Sequence, residues 1–172
     1  NCIMCGLCVS ECTVLEVDNT FIGPAALAKA SRFVYDPRDD KTSERLNFLN
    51  DEAGGMWDCT RCMQCVEVCP KGVSPMDRIM DLRETAIEIG AKKTHGYHHT
   101  NSFEKSVTAN GRLDESRLAL ESAGIFNIFR LLDLVPVGLR ALIRGKLPPF
   151  IPHKAKDNKK IKELAKAIKE KE

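Results

Sequence analysis

The sequence predicts an all-α chain: a small helical domain organised around two cysteine runs, followed by a helical extension. Three observations predict it. A spaced cysteine motif occurs twice. The 46 residues between Cys12 and Cys59 carry helix starts and stops, with no strand-like alternation. Beyond Gly90 the apolar residues fall in helix-length stretches separated by turn residues.

The cysteines come first. All eight lie in two groups, residues 2–12 and 59–69. The first run is Cys2-Ile-Met-Cys5-Gly-Leu-Cys8-Val-Ser-Glu-Cys12. The second is Cys59-Thr-Arg-Cys62-Met-Gln-Cys65-Val-Glu-Val-Cys69, followed by Pro70. Both read C-x2-C-x2-C-x3-C. Disulfide frameworks scatter cysteines over loops that need stapling, and zinc modules use separated C-x2-C pairs. A repeated quartet suits a cubane, whose four iron corners each need a soft thiolate. Two-residue spacers wrap a turn around one cube, and the x3 spacer carries the fourth cysteine outward. In two-cluster proteins that fourth cysteine ligates the other cube. The expectation is one [4Fe–4S] cluster on Cys2, Cys5, Cys8 and Cys69, and a second on Cys12, Cys59, Cys62 and Cys65. Gly6 suits close approach of backbone to cluster. Met4, Leu7, Val9, Met63, Val66 and Val68 are expected to exclude water or simply to pack the core. Crossed ligation would pin the two runs together and hold the cubes close enough for direct electron transfer.

Between the runs, Gly23-Pro24 opens a helix to Tyr35, with Ala26, Leu27, Ala30 and Val34 on one side. Asp36-Pro37 ends it. Asp39 or Asp40 is expected to cap a second helix through Leu49, burying Leu46 and Leu49. Gly54-Gly55 closes that segment and leads through Trp57 into the second run. After Lys71-Gly72, Ser74-Pro75-Met76-Asp77 reads as a capping box for a helix to Gly90, with Met76, Ile79, Met80 and Ile87 as its apolar stripe. Residues 1–90 thus form an alpha-helical ferredoxin-like two-cluster domain.

Residues 91–145 read as a helical extension for partner or membrane docking. His95, Tyr97, His98 and His99 fall in a polar loop, 91–102, as a surface cluster in preference to a metal site. Short helices are expected near Ser102–Ala109 and Asp114–Ser122. Ile125 to Ile143 is densely apolar, but Arg130, Asp133 and Arg140 are costly in hydrocarbon and Pro136 interrupts it. A broken helix lying on a partner or in the membrane interface fits better than a span, with packing on its own domain as the alternative. Residues 146–172 read as a Pro-rich linker, Leu147 to Pro152, and a basic amphipathic tail helix from Asn158 to Lys169.

Charge supports that division. From Lys146 onward nine lysines face four acidic residues, so a basic tail follows a body of net −3 within a total of +2. So small a total gives no case for nucleic-acid binding. The chain opens on Asn1 with Cys2 already a candidate ligand, and is expected to be the C-terminal part of a longer or processed protein.

Ile22-Gly23-Pro24-Ala25-Ala26, Arg32-Phe33, Asp36-Pro37-Arg38-Asp39 and Cys69-Pro70-Lys71-Gly72, joined to the two cysteine runs, resemble the iron–sulfur subunit of succinate dehydrogenase and fumarate reductase. The resemblance covers residues 1–90. It implies an electron-relay subunit between a flavoprotein subunit and a quinone-reactive membrane anchor, an oxidoreductase component with no catalytic acid or base of its own. It also implies a [2Fe–2S] cluster in an upstream domain, indirect exchange with the quinone pool, and a place peripheral to the cell membrane on the cytoplasmic face. Three departures stand out. Most members lack a cysteine at the position of Cys62 and hold [3Fe–4S] there. Thr13 stands where proline is usual, with Leu15, Glu16 and Val17 in place of aromatics. Thr60 replaces a histidine. These departures and the long extension suggest a variant branch whose membrane-associated anchor is cysteine-rich, similar to the cysteine-rich component of heterodisulfide reductase. The heterodisulfide reductase C subunit, also a two-cluster protein, is the alternative resemblance.

Overall fold

Both cysteine runs fold into the same strained turn. The residue before the second cysteine and the residue after it take positive φ in each run: Met4 58° and Gly6 80°, then Arg61 58° and Met63 68°. The computed structural model describes residues 1–50, 53–124, 128–147 and 154–170, with Arg130 and Lys169 in backbone only. Among these residues the chain is all-α. Its helices are α1 (Leu7–Ser10), α2 (Thr13–Val17), α3 (Gly23–Val34), α4 (Thr42–Leu49), α5 (Gln64–Glu67), α6 (Pro75–Glu88), α7 (His95–Asn110), α8 (Glu115–Ala123), α9 (Ile128–Ile143) and α10 (Asn158–Lys169), with a 3-10 turn at Met56–Asp58. They fall into two compact units, Asn1–Thr94 and His95–Glu172.

In the first unit α3 and α6 pack against each other, with α4 beside both. Leu27, Leu46, Met56, Ile79, Leu82 and Ala86 are fully buried between them. Each strained turn feeds a one-turn helix by matching hydrogen bonds: Val9 and Ser10 donate to the Gly6 carbonyl, Val66 and Glu67 to that of Met63. Gly54 must be glycine. Its φ is 79°, and a Cβ there would lie 2.2 Å from the Thr20 carbonyl oxygen. That close approach lets the Ile22 N–H donate to the Gly54 carbonyl at 3.0 Å.

Two expected caps are absent. Asp39 does not cap α4: its carboxylate accepts the Lys41 N–H at 2.8 Å and Arg45 Nε at 2.7 Å, bracing the Asp36–Asp39 turn instead. Ser74 makes no capping box, because it stands at φ 51° with no side-chain cap bond. The preceding loop curls back on Cys69, whose Sγ accepts the Val73 N–H at 3.3 Å. At the other end α6 stops at Glu88, and Gly90 (φ 87°) closes it through Ala91 N–H to the Ala86 carbonyl, 2.9 Å.

The buried face of α6 is also rotated from expectation. Ile79 is buried as the stripe requires, but its companions are Leu82, Arg83 and Ala86. Arg83 is 5% exposed. Its Nε and Nη2 donate to the Met56 carbonyl at 3.1 and 2.7 Å, and Nη2 also to that of Cys59 at 2.8 Å. The guanidinium stacks over Trp57, 4.9 Å from the ring centroid. Burial pulls it down to about 10 from the ordinary arginine value.

In the second unit, residues 95–101 are helical where a polar loop was expected, because they begin α7. That helix shows no apolar stripe; it meets α8 through Ser102 and Ser106, both fully buried, whose small side chains permit close approach. Asp114 caps α8 through Arg117 N–H at 3.2 Å. Ala155 N–H donates to the Asn110 carbonyl at 2.8 Å and Asn158 Nδ2 to that of Ala109 at 3.1 Å, joining α10 to the end of α7. Helix α9 runs unbroken through Pro136. Ile128, Phe129, Leu132, Leu139, Leu142 and Ile143 stay more than half exposed on it. No described helix is long and apolar enough to cross a membrane. Ile125, Phe126 and the 148–152 linker lie outside the described residues.

Leu82→Ala should lower unfolding free energy by about 3 kcal/mol, since a fully buried leucine loses both transfer and packing energy. Val17→Ala, at an 89% exposed position, should change it by less than about 0.5 kcal/mol. Denaturant titration compares the two, and equal effects would contradict this core. Arg83→Leu should cost about 3 kcal/mol on the same titration, because it strips charged donors from two buried-side carbonyls. A neutral result would mean those bonds contribute nothing.

Candidate functional site

The strained turns determine where the cysteines go. A left-handed residue stands on either side of Cys5 and of Cys62, and the first three cysteines of each run line one pocket. The one-turn helix then lifts the fourth cysteine away. Cys12 N–H donates to the Val9 carbonyl at 3.2 Å, and Cys69 N–H to that of Val66 at 3.3 Å.

The fourth cysteines cross over. A cavity of about 230 Å³ is lined by Cys2, Cys5 and Cys8 together with Cys69. A tighter pocket, about 20 Å³, is lined by Cys59, Cys62 and Cys65 together with Cys12. The structure therefore brings together both quartets as the spacing grouped them. All eight thiols are free of disulfides. Met4, Leu7 and Val9 line the first pocket and Met63 the second, yet they are 40–63% exposed and do not close off solvent within this chain.

Cys8 and Cys65 lie on α1 and α5, the one-turn helices, which pack against each other. Burial raises the Cys8 thiol, reinforced by Cys2, Cys5 and Cys69 from its own quartet. Burial likewise pushes Cys65 up to about 11, reinforced by Cys59, Cys62 and also by Cys8 of the other quartet. Backbone donors act oppositely elsewhere. The N–H groups of Val73 and Lys71 hold Cys69 below the ordinary thiol value, and that of Gln64 does the same for Cys62. Met76, in the first turn of α6, donates its N–H to Cys65.

The donor set, more than the free volume, decides what fits. Each pocket offers four soft sulfurs, and the rest of its lining is almost wholly apolar, which suits a polynuclear iron–sulfur group. Among the described residues no group of three Cys, His, Asp or Glu side chains is placed to hold a single metal ion. His99 Nδ1 instead lies 3.1 Å from Ser122 Oγ.

Arg83 escapes a sequence reading because an arginine on an amphipathic helix reads as solvated. Its one signal is register, since it lies four residues after Ile79 on the buried face. Through the Cys59 carbonyl it places a buried cation beside the second quartet. Thr13 is the other addition: its hydroxyl donates to Cys62 Sγ at 3.7 Å.

Known proteins agree with this geometry. Residues 1–73 match the family described as 4Fe-4S dicluster domain. The 8-methylmenaquinol:fumarate reductase iron-sulfur subunit of Wolinella succinogenes is 31% identical over 152 residues, 87% of this chain and 46% of that protein. The fumarate reductase iron-sulfur subunit of Mycobacterium tuberculosis is 41% identical over 92 residues, 54% of this chain and 37% of that one. A component of the fumarate reductase (CoM/CoB) of Methanothermobacter marburgensis is 35% identical over 112 residues, 64% of this chain and 22% of its own length. The chain spans less than half the length of these relatives. In its cysteine-bearing part the chain is thus similar to a 4Fe-4S dicluster domain and to the iron–sulfur subunits of fumarate reductases.

Proposed function

We propose that this chain holds two [4Fe–4S] clusters and relays electrons within a succinate dehydrogenase or fumarate reductase complex, between a flavoprotein subunit and a quinone-reactive, membrane-associated partner. The observation that carries the reading is the crossed pair of quartets, with Cys8 and Cys65 on helices that pack against each other. Cys2, Cys5, Cys8 and Cys69 would hold one cluster, and Cys12, Cys59, Cys62 and Cys65 the other. Such clusters supply one-electron redox chemistry. The chain's own residues ligate and tune. Backbone N–H groups at Cys62 and Cys69 favour the charged thiolate, Arg83 adds positive charge near Cys59, and the apolar lining limits water. No general acid or base is needed for electron relay.

In this reading a [2Fe–2S] cluster belongs to an upstream domain, as the resemblance to those iron–sulfur subunits implies. The exposed apolar residues of α9, followed in sequence by a basic tail, favour a peripheral place at the cytoplasmic face of the membrane or against a cysteine-rich anchor. A second reading, a heterodisulfide reductase C-like subunit with a disulfide as acceptor, draws on the similarity to the reductase named for CoM/CoB.

Anaerobically purified chain should contain about eight irons and eight acid-labile sulfides; about four of each, or none, would overturn the two-cluster reading. Cys62→Ser should convert the second cluster to a three-iron form of higher potential by EPR-monitored redox titration, and unchanged spectra would remove Cys62 from the ligand set. Assay of the natural complex with succinate and a dye, against a thiol–disulfide couple, should show succinate turnover. Turnover of the disulfide couple alone would favour the second reading.

A further inference from the structure

Two threonines beside the second quartet, Thr13 and Thr60, accompany one of its sulfur atoms, that of Cys62. The Thr13 hydroxyl donates to its Sγ at 3.7 Å, and Thr60 lines the same pocket and helps hold that thiol below its ordinary value. Thr13 follows Cys12 directly and Thr60 follows Cys59, so each hydroxyl is positioned by a neighbouring member of the second quartet, one from each run. The Gln64 N–H is a third donor. Cys62 is otherwise exposed, in contrast to the buried Cys65 and Cys12.

We propose that Thr13 and Thr60 are positioning residues that clamp Cys62 as the fourth-corner ligand of the second cluster, holding its sulfur in place and raising the potential of that site. The inference rests on the two-cluster reading above. A hydroxyl donor withdraws charge from a thiolate and stabilises the more negative, reduced state. It also restrains an exposed side chain that would otherwise rotate away from the corner iron.

The test uses the natural protein containing this chain, purified anaerobically, with Thr13→Val, Thr60→Val, the double variant, and Thr13→Ser with Thr60→Ser. Valine keeps the shape and removes the donor, whereas serine keeps the donor. Midpoint potential of the second cluster is read by EPR. Fourth-corner loss is read by ferricyanide oxidation: one electron passes to ferricyanide, one ferrous ion leaves to a chelator, and Cys62 is left uncoordinated. The valine variants should have lower potentials and lose iron about fivefold faster per hydroxyl, with serine restoring both. Wild-type potential and iron loss in the double valine variant would overturn the clamp. Wild-type protein with only three irons at the second site would instead overturn the two-cluster reading, a separate result visible before any threonine is changed.

Discussion

The exchange of Cys12 and Cys69 between the two pockets is the constraint on which the first unit depends. Each run supplies three sulfurs to its own pocket and sends the fourth across, so neither pocket is complete unless both runs are docked. The chain between them must then return the second run to the first within 46 residues. It does so with α3 and α4, and α6 brings its N-terminus to the Cys65 sulfur while its middle packs on α3. The hydrophobic core of Leu27, Leu46, Ile79 and Leu82 and the cysteine pockets are therefore one assembly. A chain this small gains from such tying, because its core buries only a modest apolar area.

Electrostatics divides the labour among the sulfurs. Cys8 and Cys65 are desolvated and crowded by other thiols, which opposes ionisation. The peripheral ones, Cys62 and Cys69, are exposed or half-buried and ringed by N–H and O–H donors, which favours it. Thiolate charge at Cys8 and Cys65 thus needs a bound cation or cationic cluster, whereas charge at the periphery is already accommodated by the backbone. Arg83 adds a fixed positive charge beside Cys59, its hydrogen bonds among the described residues going to backbone carbonyls, with Asp58 acting on it only through charge. A cation so placed is easier to understand next to an anionic group than in an apolar core.

Much of this was legible in the residues themselves. The spacing of the cysteines grouped each quartet across the two runs, and Gly23-Pro24, Leu46, Leu49 and Asp114 marked helices where they stand. What was not legible follows a pattern. Asp39 and Ser74 have the chemistry of caps, but tertiary demands redirected them, one to Arg45 and one to a loop wrapped on Cys69. The start of α7 was hidden because its buried face is serine, and polar residues at helical spacing look like solvated loop. Arg83 was hidden for the same reason: pattern reading assumes that charge faces water.

The non-glycine residues in the left-handed region tie strain to binding. Gly6 occupies that conformation without penalty, but Met4, Arg61 and Met63 each give up about 1 kcal/mol to do so. Met4 and Met63 are 63% and 42% exposed, so little burial offsets it. The return lies in the backbone they shape: turns that bring three cysteines to one pocket and start a one-turn helix toward the fourth. Strain held in both copies of a repeat, at matching positions, is the mark of a geometry maintained for what binds there. Cluster binding to the folded pockets alone would shift the folding equilibrium by more than the strain removes. These turns are the part of the first unit that the proposed clusters would hold.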